Sequence, residues 1–183
     1  MRPHLPLSCR QCITAGFYQI FPPVQKSAVH SAILDQLRRD LALQVNAAHL
    51  ARDEAISEES RAENKYDTHS QEAAYLAEGQ ARIAGEIDIS IAQYTALPLP
   101  DFAPGDAIAV GALVELRSTA GKSAWYFLGP RAGGLELRVA ERDLLVLTPQ
   151  SPLGRQLLGK RIGDSITAPG RGAAAVQRIA SVL

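Results

Sequence analysis

The stretch VQKSAVHSAILDQLRRDLALQVNAAHLARDEAISEESRAENKYDTHSQEAAYLAEGQARIAGEIDISIAQYTA, residues 24–96, decides the fold. It contains no proline and is rich in Ala, Glu, Gln, Leu and Arg, which are good helix formers. Its apolar residues fall on two stripes with spacings of three, four and seven, as on one face of a helix near heptad register. The first stripe is Val29, Ile33, Leu37, Leu41 and Ala48, and the second is Leu76, Ile83, Ile87, Ile91 and Tyr94.

The two stripes mirror each other along the chain. The residue numbers of the pairs Ile33 and Ile91, Leu37 and Ile87, Leu41 and Ile83, and Ala48 and Leu76 each add up to 124. A constant sum is what an antiparallel hairpin requires, because both partners are equally far from the turning point. The turn is therefore predicted near residue 62, within SEESRAENKYD, and each arm of about 30–35 residues projects roughly 45–50 Å. The alternative is one continuous helix in an intermolecular coiled coil.

A different pattern follows the helical region. Prolines at 98, 100 and 104 make residues 97–105 a predicted linker, and residues 106–183 contain short alternating strands. A single short helix, SPLGRQLLGK, interrupts them, with Ser151 as N-cap, Pro152 at the first helical position and Gly159 at C′. The predicted fold class is α+β: an antiparallel helical hairpin over 24–96, then an antiparallel sheet domain with one short helix over 106–183.

The beginning of the chain fits neither part. Residues 1–23 are predicted to be a poorly ordered or mis-assigned leader, and Cys9 and Cys12 within it are too few for a disulfide scaffold. The alternative reading of this pair is half a zinc site, which normally needs four ligands and for which only His4 or His30 are nearby candidates. No secretory signal and no apolar run long enough for a membrane span are visible, so the cytoplasm is the expected location.

Charge is unevenly distributed along a globular composition of 46% hydrophobic and 21% charged residues. The formal net charge is +0, which disfavours a protein that coats nucleic acid by bulk charge. The predicted tip is strongly acidic, however, and carboxylates are the oxygen ligands that Mg²⁺ prefers. A few exposed carboxylates cannot hold Mg²⁺ alone but could complete the shell of an ion held by another protein; a solvated acidic helix face is the other reading. The acidic residues are Asp53, Glu54, Glu58, Glu59, Glu63 and Asp67.

Two motifs resemble the Gre family of bacterial transcription elongation factors, the GreA/GreB type. VLTPQSPLGRQLLGKRIGDSI, residues 146–166, is similar to the family's C-terminal signature of a strand, Ser-Pro, a short helix ending in Leu-Leu-Gly-Lys, and Gly-Asp before a strand. ESRAENKYDTHSQEAAYLAEGQARI, residues 59–83, resembles the family's Glu-Asn tip and the returning helix. The resemblance covers roughly residues 26–183 in the family's order.

The resemblance implies an FKBP-like C-terminal domain that docks on RNA polymerase near its secondary channel. The matching docking residues are Gln150, Ser151, Pro152 and Leu153. The hairpin would enter the channel and modulate elongation or the rescue of backtracked complexes, reaching the nascent RNA 3′ end indirectly. The implied protein is monomeric, has no membrane partner and carries the family-level expectation of DNA binding. It has no active site or cofactor of its own, and shares Mg²⁺ only with the polymerase.

At the tip, the resemblance gives a mixed assignment. The family's Glu before Asn falls on Glu63, while its Asp three positions earlier falls on Ser60, beside Arg61. Serine is a poor Mg²⁺ ligand, so Glu59 is the candidate substitute, with Asp67 one turn beyond Glu63. These residues would support stimulated transcript cleavage. The alternative function is a channel competitor that does not cleave, and an alternative from another class is an FKBP-like peptidyl-prolyl isomerase or chaperone.

Overall fold

The computed structural model describes residues 24–56, 69–168 and 175–183. Two long helices come first: α1 spans Lys26–Ile56 and α2 spans His69–Thr95. Both lie inside the proline-free stretch, so their existence follows from its composition and periodicity. The predicted turn between them lies outside the described residues. Neither long helix, nor any other described one, is apolar over enough of its length to cross a membrane.

The two helices pack antiparallel, which confirms the predicted hairpin. At its base, a ring nitrogen of His30 lies 2.7 Å from the backbone oxygen of Tyr94, and these residue numbers also add up to 124. Further along, Leu37 of α1 and Ile87 of α2 share one hydrophobic cluster. Val29, Ile33 and Leu37 are buried, as the first stripe predicts.

The outer half of the seam differs from the prediction on α2. Leu76 and Ile83 are 55% and 42% exposed, and the buried residues of this half are instead Ala51, Ala73 and Ala84. With Tyr94 at heptad position d, the other d positions are Ile87, Gln80 and Ala73 and Ala84 is at position a, whereas Leu76 and Ile83 are at the flanking g positions. The pattern was read from the largest apolar side chains, but the helices meet where the side chains are smallest.

The sheet has six strands in the order β3-β4-β2-β1-β6-β5. Neighbouring strands are antiparallel except β2 and β4, which are parallel, so the predicted sheet is only mostly antiparallel. The exception arises because β3 pairs on the outer side of β4, which leaves β4 beside β2 and running the same way. The strands are β1 Leu113–Ser118, β2 Ser123–Leu128, β3 Glu136–Val139, β4 Arg142–Leu147, β5 Ser165–Ala168 and β6 Ala175–Val182.

Each face of the sheet has its own hydrophobic core. One face packs against the base of the hairpin, where Ile33 and Tyr94 meet Phe127 and Val146. The opposite face packs against α3, which spans Pro152–Leu157 and contributes Leu157. The sheet is therefore a middle layer, and the hairpin is packed directly onto it.

The predicted linker lies against both parts of the chain. Leu97 and Leu99 pack against the core at the hairpin base. The ammonium group of Lys26, at the start of α1, donates a hydrogen bond to the backbone oxygen of Pro100 and lies 4.8 Å from the ring centre of Phe102. Partial burial lowers the pKa of Lys26, and the carboxylate of Asp101 opposes that shift. The boundaries proposed for hairpin, linker and sheet domain remain predictions.

Candidate partner-docking site

The docking loop, residues 148–153, connects β4 to α3 and is held by a helix cap. The hydroxyl of Ser151 accepts a hydrogen bond from the backbone N–H of Gly154 at 3.0 Å, which is the predicted N-cap interaction. The same hydroxyl donates to the backbone oxygen of Thr148 at 2.8 Å. Pro152 occupies the first helical turn, where its missing N–H costs nothing. These contacts fix the loop's backbone.

A close approach inside this loop requires the glycine that follows it. A Cβ at Gly154 would lie 2.0 Å from the backbone oxygen of Thr148 and 2.8 Å from the Ser151 hydroxyl. Both distances are shorter than real Cβ contacts allow. The Ser-Pro-Leu-Gly sequence is therefore needed for the loop's own geometry, whatever binds to it.

The predicted docking residues face different surroundings. Gln150 and Pro152 are exposed, and Ser151 is half-buried. Leu153 is only 7% exposed and packs in the core beneath α3. Of the four predicted docking residues, Gln150 and Pro152 are therefore accessible to a partner, while Leu153 anchors the loop in the core.

Gln150 also lines a cleft of about 520 Å³ between the hairpin and the sheet. Ile83 and Glu86 of α2 form the hairpin side of the cleft, and the turn 130–133 forms the sheet side. Ile83, which is not buried between the two helices, lines this cleft with its exposed side chain. The docking loop and the hairpin thus contribute to one concave site.

A buried tyrosine fixes the two walls of the cleft relative to each other. Tyr94 is fully buried, and its hydroxyl donates a hydrogen bond to the backbone oxygen of Arg131 at 2.9 Å. A Cβ at Gly129 would lie 1.9 Å from this hydroxyl, so only glycine fits there. Desolvation raises the pKa of Tyr94 far above its usual range, which keeps the hydroxyl protonated and able to donate.

The sequence pattern places Tyr94 only at the end of an apolar stripe and gives no indication of its bond to Arg131 in the turn at residues 129–134. The bond between them joins positions 37 residues apart. The available signal was a tyrosine at the end of an apolar stripe, because a buried tyrosine hydroxyl needs a partner. The identity of that partner depends on the fold and had no signal in the sequence.

The tip residues Glu59, Glu63 and Asp67 lie outside the described residues, as do Ser60 and Arg61. Among the residues that the structure describes, no group of three or more His, Cys, Asp or Glu side chains is placed to hold a metal ion. His30 is occupied at the hairpin base by the backbone of Tyr94. Cys9 and Cys12 fall in the part of the chain without a description.

No protein-family model and no curated protein sequence matches the chain. Among solved structures, the chain is similar to GreA factor homolog 1 (Gfh1) of Thermus thermophilus, at 18% identity and a TM-score of 0.37, covering 82% of this chain and 94% of that one. It is similar to Gfh1 of Thermus aquaticus at 22% identity and a TM-score of 0.37, covering 87% and 96%. It is also similar to a transcription elongation factor GreA/GreB from Nitrosomonas europaea at 20% identity and a TM-score of 0.34, covering 57% and 89%.

Proposed function

We propose that this protein is a transcription elongation factor of the Gre kind that binds RNA polymerase in the cytoplasm. In this proposal the docking loop and its cleft bind the polymerase near the secondary channel, and the hairpin extends into the channel. The observation that carries the proposal is the position of Gln150: the residue before Ser-Pro in the Gre-like signature lines the cleft at the hairpin base. Docking there would orient the hairpin.

The length of the hairpin supports a function at a distance. Helix α1 has 31 residues, which corresponds to about 46 Å at 1.5 Å per residue. The outer seam is formed mainly by alanines, which allow two helices to lie close together in a thin rod. A thin rod with an acidic far end is suited to a narrow, enclosed site in a partner.

The chemistry proposed for the far end is assistance rather than independent catalysis. Glu63 and Glu59, with Asp67, provide the hard oxygen donors that suit Mg²⁺. A Mg²⁺ ion shared with the polymerase would supply stabilisation of charge during phosphodiester hydrolysis. The role of this chain's carboxylates would be to complete the shell of an ion already bound by the polymerase.

A second candidate function is a competitor that occupies the channel without stimulating cleavage. The observation that favours it is Ser60, with Arg61 beside it, at the position where cleavage-active Gre factors are expected to carry Asp. An arginine next to the site opposes a cation, and a serine hydroxyl is a weaker Mg²⁺ ligand than a carboxylate.

The isomerase alternative receives less support from the described residues. Trp125 and Phe127 pack towards the hairpin, whereas Phe102 and Tyr126 pack against the opposite core. The aromatic side chains of the sheet domain are thus divided between its two faces. Trp125 and Tyr126 line one hollow of about 480 Å³ and Phe102 lines another, so the described aromatic residues do not converge on a single proline-binding pocket.

The docking step can be tested by measuring affinity for purified RNA polymerase. Gln150→Ala should weaken binding by about 5–10-fold, because it removes one hydrogen-bonding group at the centre of the proposed contact. Gln93→Ala, at an exposed position on α2, is the matched control and should leave affinity unchanged. Absence of binding by the unmodified protein, or equal losses in both variants, would contradict the proposal.

The two tip functions are separated by adding the protein to a backtracked elongation complex. Stimulated cleavage is supported if the unmodified protein shortens the RNA and if Glu63→Ala and Glu59→Ala abolish this shortening while still binding the polymerase. Glu78→Ala on the exposed side of α2 is the control for removal of one carboxylate. If the unmodified protein instead slows the polymerase's own cleavage, the competitor function is correct.

A further inference from the structure

Two arginines face each other on neighbouring strands at the end of the sheet away from β3. Arg117 of β1 and Arg178 of β6 are directly paired in the antiparallel register. Side chains of such a pair extend from the same face, with Cβ atoms about 5 Å apart, and like charges there are destabilising. The fold therefore places two guanidinium groups on one surface.

The guanidinium of Arg178 is held in place by the backbone. Its Nε donates a hydrogen bond to the backbone oxygen of Gly163 at 3.0 Å. Gly163 has a φ of 93°, and a Cβ built there would lie 3.5 Å from Nη2 of Arg178. The arginine is thus fixed over a glycine turn rather than moving freely in solvent, which lowers the entropy cost of binding a ligand.

The nearby negative charges are engaged elsewhere. Glu115 lies 3.1 Å from Nη2 of Arg117 and also accepts a hydrogen bond from the hydroxyl of Ser123 at 2.6 Å. Asp164 accepts from the backbone N–H of Arg161 at 2.9 Å. In the described part of the chain, no carboxylate forms a salt bridge with Arg178. One positive charge of the pair is therefore balanced and the other is not.

An apolar surface adjoins this charge. Both arginines line a hollow of about 590 Å³, together with Ile162, Val176 and Ala180. Ile162 and Val176 are 42% and 55% exposed, although both are large apolar side chains. The hollow thus combines a fixed guanidinium with aliphatic walls, and we name it the basic hollow.

We propose that the basic hollow binds an acidic peptide segment of a partner protein, in which a carboxylate pairs with Arg178 and aliphatic side chains cover Ile162 and Val176. Arginine and carboxylate can form a charge-assisted, bidentate pair, so an incoming carboxylate would balance the positive charge of Arg178. Nucleic acid is disfavoured because none of the described residues that line the hollow is aromatic and able to stack on a base. The hollow shares no lining residue with the cleft, so the two proposals can fail independently.

The test uses fluorescence anisotropy with three labelled probes and the full chain. The first probe is a short peptide of repeated Asp-Asp-Leu-Leu units, the second has Asn in place of Asp, and the third is a single-stranded oligo-dT of the same charge as the first. The first variant, Arg178→Gln, removes the positive charge. The second, Val176→Asp, adds a negative charge to an exposed wall of the hollow and leaves Arg178 unchanged. Arg138→Gln, at an exposed position of β3, is the control for overall charge.

The acidic peptide should bind tightest, and Arg178→Gln and Val176→Asp should each weaken it about 10-fold. Arg138→Gln should leave binding unchanged. The proposal is overturned if the unmodified protein does not bind the acidic peptide, if the Asn peptide or oligo-dT binds at least as tightly, or if Arg138→Gln has the same effect as Arg178→Gln. Because Val176 is exposed, its variant remains informative even if Arg178→Gln disturbs the Gly163 turn.

Discussion

Replacing Tyr94 with Phe should destabilise the protein by removing a single part-buried hydrogen bond. The ring would remain, along with its contact to Phe127 at 6.4 Å between ring centres. The change leaves the part-buried backbone oxygen of Arg131 without its donor, and loss of such a hydrogen bond costs about 0.5–1.5 kcal/mol. For a chain of 183 residues this corresponds to a melting temperature lower by about 1–6 °C.

The assay is thermal and urea unfolding followed by circular dichroism. Tyr75→Phe is the matched control, because Tyr75 is 73% exposed, and it should change the free energy of unfolding by less than about 0.5 kcal/mol. A second comparison uses Gly129→Ala, whose Cβ would lie 1.9 Å from the Tyr94 hydroxyl. This substitution should cost less in the Tyr94→Phe background, because the closest atom has been removed. Equal stability of Tyr94→Phe and the unmodified protein would refute this explanation of how the hairpin is held.

Two other predictions concern pH and the glycines of α2. Burial raises the pKa of Tyr94, so this hydroxyl loses its proton at a lower pH in the unfolded chain than in the folded protein. The stabilisation should therefore be fully present below about pH 10 and should fall as the pH rises further. Urea unfolding across this range should show a less steep fall in Tyr94→Phe. A dependence that Tyr94→Phe leaves unchanged would assign the effect to other groups. Gly79→Ala and Gly85→Ala should each stabilise the protein by about 0.5–1 kcal/mol, because both glycines are inside a helix and a Cβ at either would meet nothing within 4 Å. Lower melting temperatures in these two variants would mean that the glycines are required for packing.

The hairpin, the strands and the α3 cap were accessible from sequence because each depends on local patterns. The proline-free stretch and its mirrored stripes predicted two antiparallel helices, and Ser151 with Pro152 predicted the start of α3. The outer seam was not accessible, since Ala73 and Ala84 give a weaker hydrophobic signal than the neighbouring Leu76 and Ile83. Close helix packing selects small side chains, and hydrophobicity alone does not reveal this.

Long-range arrangements were also beyond sequence reasoning. The parallel pairing of β2 with β4 follows from where β3 lies, which alternation within a strand does not specify. The same holds for the candidate site: the cap at Ser151 was predicted, but the bond from Tyr94 to Arg131 depends on how the hairpin meets the sheet. Leu153 shows that a motif does not specify the burial of each of its residues. The motif predicts a docking residue at this position, but the side chain is buried in the core.

The packing of the hairpin base onto the sheet makes the helices act as a lever arm. A tilt of about 5° at the base would displace the far end of a rod about 46 Å long by roughly 4 Å. That displacement is larger than a Mg²⁺–oxygen bond of about 2.1 Å. If the acidic residues act as proposed, small changes of angle near Tyr94 would be amplified at their position, and substitutions at this distant pivot would reduce stimulated cleavage without changing any residue at the tip.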